Sequence, residues 1–400
     1  MEENKDNKLN HCSFLNGEAK ILEISNSIIL QDEILIVLNH NSCEDFENYL
    51  KKNIFPIDNV KIDNLTGLYD SFKVISRPST FGVDRPDNFT SIDFISSALF
   101  ATNLTDNQFM YKNNSFAFKT SRQIFEYNMK KSINFKELSV HVPKFSSFKE
   151  SLKRKYGDGK VAEISSSDLD LYRILTGEPK YKCEYAIMSG SPPKLVYNAV
   201  EAGLMKYLHF RKGCYVGNEA VNRMVNLNSA RRKLMNLRVQ NISDLKKILE
   251  SGIESLILYD DEDEVAGNIT SVAPLSSIDQ MSEFNKHLPK EQSLLGYIRS
   301  KHAIAGKRLA VKSAIKDFPP IELTVVDSSF SKYSTEYSPA PPVIKELKNS
   351  NSIISQNRTS SSSTSSENLT NNNSEEEKRK AEKMRKMQEN LEKFKASMKK

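Results

Sequence analysis

Residues 209–225 read HFRKGCYVGNEAVNRMV and place Cys214 between Lys212-Gly213 and Tyr215, with a second glycine at Gly217. A thiol reacts or binds metal as the thiolate, and cations such as Arg211 and Lys212 favour that form, while glycines let backbone and ligand approach closely. The same stretch equally suits a tight corner in which Cys214 is buried as a small hydrophobe. The remaining cysteines, Cys12, Cys43 and Cys183, are widely spaced with no CxxC pair, and the six histidines form no HxxxH or HxH pair. That spacing argues against a structural zinc site, a disulfide framework or a metal site wholly within this chain, and for a reducing compartment.

Four hundred residues allow two or three domains with sizeable cores. No apolar run approaches the roughly 20 residues that a membrane span requires. Net charge is +6, but residues 375–400 carry ten Lys or Arg against six Glu, so the rest is nearly balanced and shows no clustered nucleic-acid surface. The first 14 residues hold three acids and no apolar core, which reads as neither a secretory signal nor a transit peptide.

The elements that position Cys214 are read from periodicity. ILIVLNH (34–40) is expected to be a short buried strand, with Ser42 as N-cap and Glu44 and Asp45 in the first turn of a helix carrying Phe46, Tyr49 and Leu50. Pro56 ends that helix and VKI (60–62) reads as a strand again, a β-α-β unit. FAFKT (116–120) predicts a strand and SRQIFEYNMKKSI a following helix. DLDLYRILTG, from Asp168, predicts a helix with Leu169, Leu171 or Tyr172, and Leu175 on one face, stopped at Gly177. From residue 232 the period changes: RKLMNLRV, SLILYD, NITSV, LLGYIR, RLAV and IELTVV are short runs of branched and aromatic residues split by turn signals, as in an antiparallel barrel or sandwich. Residues 343–374 form a Ser/Asn-rich tract expected to be disordered. In 375–400, Met384, Met387, Leu391, Phe394 and Met398 recur at steps of 3 and 4, the seam of a basic amphipathic helix that either docks on a partner or an anionic membrane face or stays solvated.

The cysteine stretch resembles the KGCYxGQE…R signature of the YgfZ-type folate-binding proteins, the iron–sulfur cluster assembly branch of the GcvT-like aminomethyltransferase superfamily. Lys212, Gly213, Cys214, Tyr215, Gly217, Glu219 and Arg223 match, and Asn218 stands where that family has Gln. RILTGEP (173–179) resembles its RIxxGxP, VEAGLMKYLHF (200–210) the segment before the signature, and GNITS, LLGYIR and AGKRLAV segments of its C-terminal barrel. IFPIDNVKIDNLT (54–66) is most similar to the plant plastid members. The strand and helix with which that family begins have no counterpart ahead of FLNGEAKILEI (14–24), so an N-terminally incomplete folate-binding domain is expected, and residues 67–150 show no G-P-x-A segment.

What the resemblance implies is an α+β chain: a GcvT-like multi-lobed folate-binding domain over 14–231, a small antiparallel β-barrel over 232–342, the linker, and the tail helix. It implies tetrahydrofolate as cofactor, with Glu201 holding the pterin, and no metal bound by this chain alone. Glu201 is otherwise a solvated helix-end acid. Arg173 and Arg223 either meet the glutamate carboxylates of folate or pair with Glu219. Lys212 tunes Cys214 or is surface charge, and Tyr215 packs with its hydroxyl hydrogen-bonded. The function implied is support of [4Fe–4S] protein maturation, with assembly proteins and client enzymes as partners, in the mitochondrial matrix or plastid. The alternatives are a folate-dependent aminomethyltransferase-like enzyme, and a non-catalytic scaffold acting through the basic tail.

Overall fold

The computed structural model describes residues 9–327, apart from 31–32, 39–41, 77–107, 113–114, 126–131, 145, 158–160, 190–193, 211, 252–255, 281, 283 and 314–319. The linker and tail helix expected beyond 342, and Arg211, lie outside the described residues. Among those described, no helix is long and apolar enough to cross a membrane.

The chain is mixed α and β. Strands β1 (Asn10–Leu15), β2 (Ile21–Ile29) and β3 (Ile34–Leu38) form an antiparallel three-stranded sheet. Strand β2 is its centre, with Ile21, Ile24 and Ile28 fully buried. Strand β3 corrects the sequence reading in one respect: it is an edge strand, and Ile34 is 63% exposed rather than buried. The predicted helix follows as Cys43–Asn53 and buries Phe46, but Ser42 makes no side-chain cap. The β-α-β reading fails at its last member, because residues 60–62 are irregular. Three residues with Val60 turned to solvent offer no alternating face to bury.

Strands β4 (Tyr69–Ser76), β5 (Phe109–Lys112), β6 (Ser115–Phe125) and β7 (Ser132–Pro143) make a second antiparallel sheet in the order β4-β7-β6-β5. Here the predicted helix after FAFKT is overturned, since β6 runs on through Phe125 and pairs with β7 from Phe116↔His141 to Phe125↔Ser132. Ten residue pairs across the two strands outweigh the weak helical pattern of SRQIFEYN.

The helix predicted from Asp168 spans Ser166–Thr176. Ser165 caps it by accepting from the Asp168 N–H at 3.0 Å, and Gly177 ends it at φ +76°, a left-handed turn that glycine adopts without strain. Leu171, Tyr172, Ile174 and Leu175 are buried, whereas Leu169 is exposed. After the short pair β8 (Met188–Ser189) and β9 (Lys194–Leu195), helix Asn218–Asn226 follows the cysteine loop.

The C-terminal reading holds in detail. Strands β10 (Arg232–Val239), β11 (Leu256–Tyr259), β12 (Val265–Val272), β13 (Leu294–Arg299), β14 (Arg308–Ser313) and β15 (Ile321–Val326) close an antiparallel barrel in the order β10-β13-β12-β11-β14-β15. Gly267 and Gly296 are fixed by close approach: a Cβ on either would fall 2.3 Å from the Tyr297 carbonyl or 2.6 Å from that of Asn268. The barrel shares one apolar core with the preceding part, running from Leu15 and Ile21 through Tyr172 and Leu204 to Leu234, Tyr297 and Val325.

Candidate functional site

Cys214 stands exposed in the loop just ahead of helix Asn218–Asn226. The Lys212 N–H donates to His209 Nδ1 at 2.8 Å, and the Lys212 ammonium lies 4.5 Å from the centroid of the Tyr215 ring, a cation–π contact. The Tyr215 ring packs against the core, and burial pushes its phenol above the ordinary range. Among the described residues its buried hydroxyl has no hydrogen-bond partner, which corrects the expectation that it would be bonded. Gly217 closes the loop at φ +83°, tight against the turn between β1 and β2, where a Cβ would sit 2.6 Å from the Asn16 carbonyl oxygen.

Glu201 is elsewhere, in the turn that follows β9 and precedes the cysteine loop, and is 2% exposed rather than a solvated acid. Its backbone N–H donates to Asn198 Oδ1 at 2.8 Å, and its carbonyl accepts from the Leu234 N–H at 2.9 Å, which pins the turn to the barrel. Oε1 accepts from Arg232 Nε at 3.3 Å, while among the described residues Oε2 receives only a long 3.4 Å contact from the Asn198 N–H. The Arg232 guanidinium lies 4.9 Å from the Tyr197 ring centroid. Tyr197 in turn stacks on Tyr297 at 3.7 Å and 10°. The site is therefore a buried carboxylate with one oxygen charge-paired and acceptor capacity left on the other, beside a stacked aromatic pair. Sequence reasoning missed Arg232 and Tyr197. An arginine at the first position of a strand was the available signal, whereas the Tyr197–Tyr297 stack joins residues too far apart in sequence to be read locally.

Arg173 is built into the fold. Its Nε donates to Asp170 at 2.8 Å, Nη1 to the Glu178 carbonyl at 2.9 Å and to Glu184 at 3.2 Å, and Nη2 to Ser271 Oγ at 3.1 Å. Burial opposes its charge, but Glu184 and Asp170 outweigh that and hold its pKa above the ordinary value. Arg223 is exposed on helix Asn218–Asn226, and no ion pair joins it to Glu219 among the described residues. The structure thus brings Lys212, Cys214 and Tyr215 together and sets Arg173 in a charge network of its own. No group of three or more His, Cys, Asp or Glu that can hold a metal occurs among the described residues.

A cavity of about 170 Å³ lies between the two N-terminal sheets, lined among others by His11, Asn26, Phe118, Glu137, His141 and Glu178. Ser71 Oγ meets His141 Nδ1 at 2.8 Å, and the imidazole stacks on Phe116 at 4.4 Å. Burial drives the His141 pKa down from 6.5 to about 4, so the folded protein keeps it neutral. The unfolded chain then takes up a proton first as pH falls, and folding stability is expected to drop between pH 6.5 and 4 by about 3 kcal/mol from this group. Urea midpoints from pH 7 to 4.5 check this: His141→Phe removes that part of the slope.

No family model and no curated protein matches the chain. Among solved structures, the chain is similar to the glycine cleavage system aminomethyltransferase T from Bartonella henselae, at 14% identity and a TM-score of 0.49, over 82% of this chain and 76% of that one.

Proposed function

We propose that this chain is a folate-binding factor for assembly or repair of [4Fe–4S] proteins, working through Cys214. The observation that carries this reading is the exposure of Cys214 in a KGCY loop. A buried thiol could not meet another protein; this one can. One thiol cannot complete a four-ligand cluster site, so the remaining ligands would come from a client or an assembly protein. Tetrahydrofolate fits the chemistry of Glu201, whose second oxygen has capacity for the pterin N–H donors beside the Tyr197–Tyr297 stack. The working compartment in this reading is the mitochondrial matrix or plastid.

The test is replacement in cells. Depletion is expected to lower aconitase-like and radical-SAM activities together, and Cys214→Ala to fail to restore them. Because Cys214 is exposed, the same variant should change folding stability by less than about 0.5 kcal/mol in urea titration. Unchanged enzyme activities in the depleted cells would sink the reading. Tetrahydrofolate titration of Glu201→Ala and Cys214→Ala separates the pocket from the thiol, binding being lost only in the first.

A further inference from the structure

The turn between β1 and β2, residues 16–20, belongs to neither proposed site and touches the segments that carry both. It is closed by its own bonds. The Asn16 N–H donates to the Lys20 carbonyl at 3.0 Å and the Ala19 N–H to the Asn16 carbonyl at 3.0 Å, while Asn16 Oδ1 accepts from the Glu18 and Lys20 N–H groups at 3.0 and 2.9 Å. A side-chain amide that takes two backbone donors fixes such a turn. Ala19, inside it, is fully buried and stands at φ +59°, in the left-handed region that alanine occupies only where its surroundings hold it there.

The segment before Glu201 is strapped to one side of this turn. The Ala199 N–H donates to the Ala19 carbonyl and the Ile21 N–H to the Tyr197 carbonyl, both at 3.2 Å, which pairs Lys20 with Asn198 as an antiparallel bridge. Lys20 Nζ adds a 2.7 Å bond to the Val196 carbonyl. Asn198 in turn holds Glu201: its Oδ1 accepts from the Glu201 N–H at 2.8 Å, and its own N–H makes the 3.4 Å contact with Oε2. The cysteine loop rests on the other side. Gly217 approaches so closely that a Cβ would fall 2.6 Å from the Asn16 carbonyl oxygen and 3.2 Å from the Ala19 Cα. The loop closes on itself through the Asn218 N–H to the Tyr215 carbonyl at 3.1 Å and the Val221 N–H to that of Gly217 at 3.0 Å. An unbroken run of contacts thus leads from the Glu201 carboxylate through Asn198 and Ala19 to Gly217. Interiors packed to this closeness pass on a displacement, so a shift of residues 197–199 carries Ala19 with it and changes the seat of Gly217.

We propose that the β1–β2 turn couples the two sites, so that a ligand held by Glu201 steadies the loop that presents Cys214. The functional meaning of this link rests on the reading of Glu201 as the folate carboxylate and of Cys214 as the working thiol. A ligand that fixes Glu201 fixes Asn198 and the turn with it, and a loop already ordered loses less freedom when a partner engages the thiol. Asn16 and Asn198 act on Cys214 only through other residues and are positioning residues.

Amide hydrogen exchange of the full chain, followed at Asn218 and Val221, reads the state of the loop. Asn16→Ala, in which the turn loses its side-chain acceptor, is expected to speed exchange at both by about fivefold or more, the low end of coupling between sites. Asn16→Asp keeps an acceptor oxygen and is expected to restore most of the protection. Asn198→Ala loosens the turn from its other side, is expected to act in the same direction, and decides the matter if Asn16→Ala does not fold. Ser165→Ala is the control for lost global stability: it removes the cap of helix Ser166–Thr176 and should leave both amides as they are. Saturating tetrahydrofolate is expected to slow the same two amides in the unaltered protein. Acceleration confined to residues 16–20, or matched by Ser165→Ala, overturns the proposal, as does tetrahydrofolate that binds without slowing Asn218 and Val221. Tetrahydrofolate that does not bind removes the folate reading instead, and the variants alone then decide whether the two segments are coupled.

Discussion

Arg173→Ala is expected to cost about 3–5 kcal/mol of folding stability, the range for removing one partner of a buried, hydrogen-bonded ion pair. The cost arises less from the bonds lost than from the charges left behind. Glu184 is fully buried, and its oxygens otherwise meet only Ser271 Oγ and the Lys180 N–H among their hydrogen-bond contacts. Without the guanidinium its carboxylate sits in the core uncompensated, and the Glu178 carbonyl loses its donor as well. Arg173→Lys should recover part of the loss, since one ammonium can meet Glu184 but cannot reach Asp170, a carbonyl and a hydroxyl from a single fork. Chemical denaturation of the three proteins measures both steps. A loss below 1 kcal/mol for the alanine variant would show that the Glu184 charge is met by other groups.

Gly217→Val is expected to destabilise by about 4 kcal/mol, combining left-handed backbone strain with overpacking against a fixed neighbour. The neighbour is backbone, not a side chain that can swing away: the Asn16 carbonyl accepts from the Ala19 N–H at 3.0 Å, while Asn16 Oδ1 holds the Glu18 and Lys20 N–H groups. Gly213→Ala, four residues earlier in the same loop, is the control. Nothing lies within 4 Å of a Cβ there, and its change should stay within about 0.5 kcal/mol. Thermal or urea unfolding of the pair tests the contrast, and equal losses would mean that the β1–β2 turn yields to the new side chain.

The barrel was legible because its strands are uninterrupted runs of branched and aromatic residues: RKLMNLRV, LLGYIR and IELTVV are β10, β13 and β15 to the residue. The sheet of β4–β7 was legible only at FAFKT, which lies within β6. Thr120 and Glu137 face each other across β6 and β7, both buried, and polar residues at buried positions blur the alternation by which a strand is recognised. Thr120 and Glu137 also line the cavity. Of the candidate site, the local pattern singled out Cys214 and the family resemblance Glu201, but neither gave their surroundings. That Glu201 is met by Arg232 depends on a turn and a strand coming together, and that His141 keeps one nitrogen unbonded depends on the spacing between two sheets. Neither distance is encoded in a local pattern.

The arginine network described above bears on how this chain can be taken apart. Ser271 belongs to the barrel, Arg173 to the helix before it, and Glu184 to the loop between, yet the three share hydrogen bonds. Asn236 of β10 also donates to the Ile174 carbonyl at 2.6 Å, and the Tyr297 hydroxyl to that of Glu184 at 2.8 Å. The change of pattern at residue 232 is thus a seam in the text of the sequence and not in the molecule. The barrel is not a transferable cassette: excised, it would carry away the hydroxyl and amide on which the helix and its neighbouring loop close, and each fragment would face water across what had been interior.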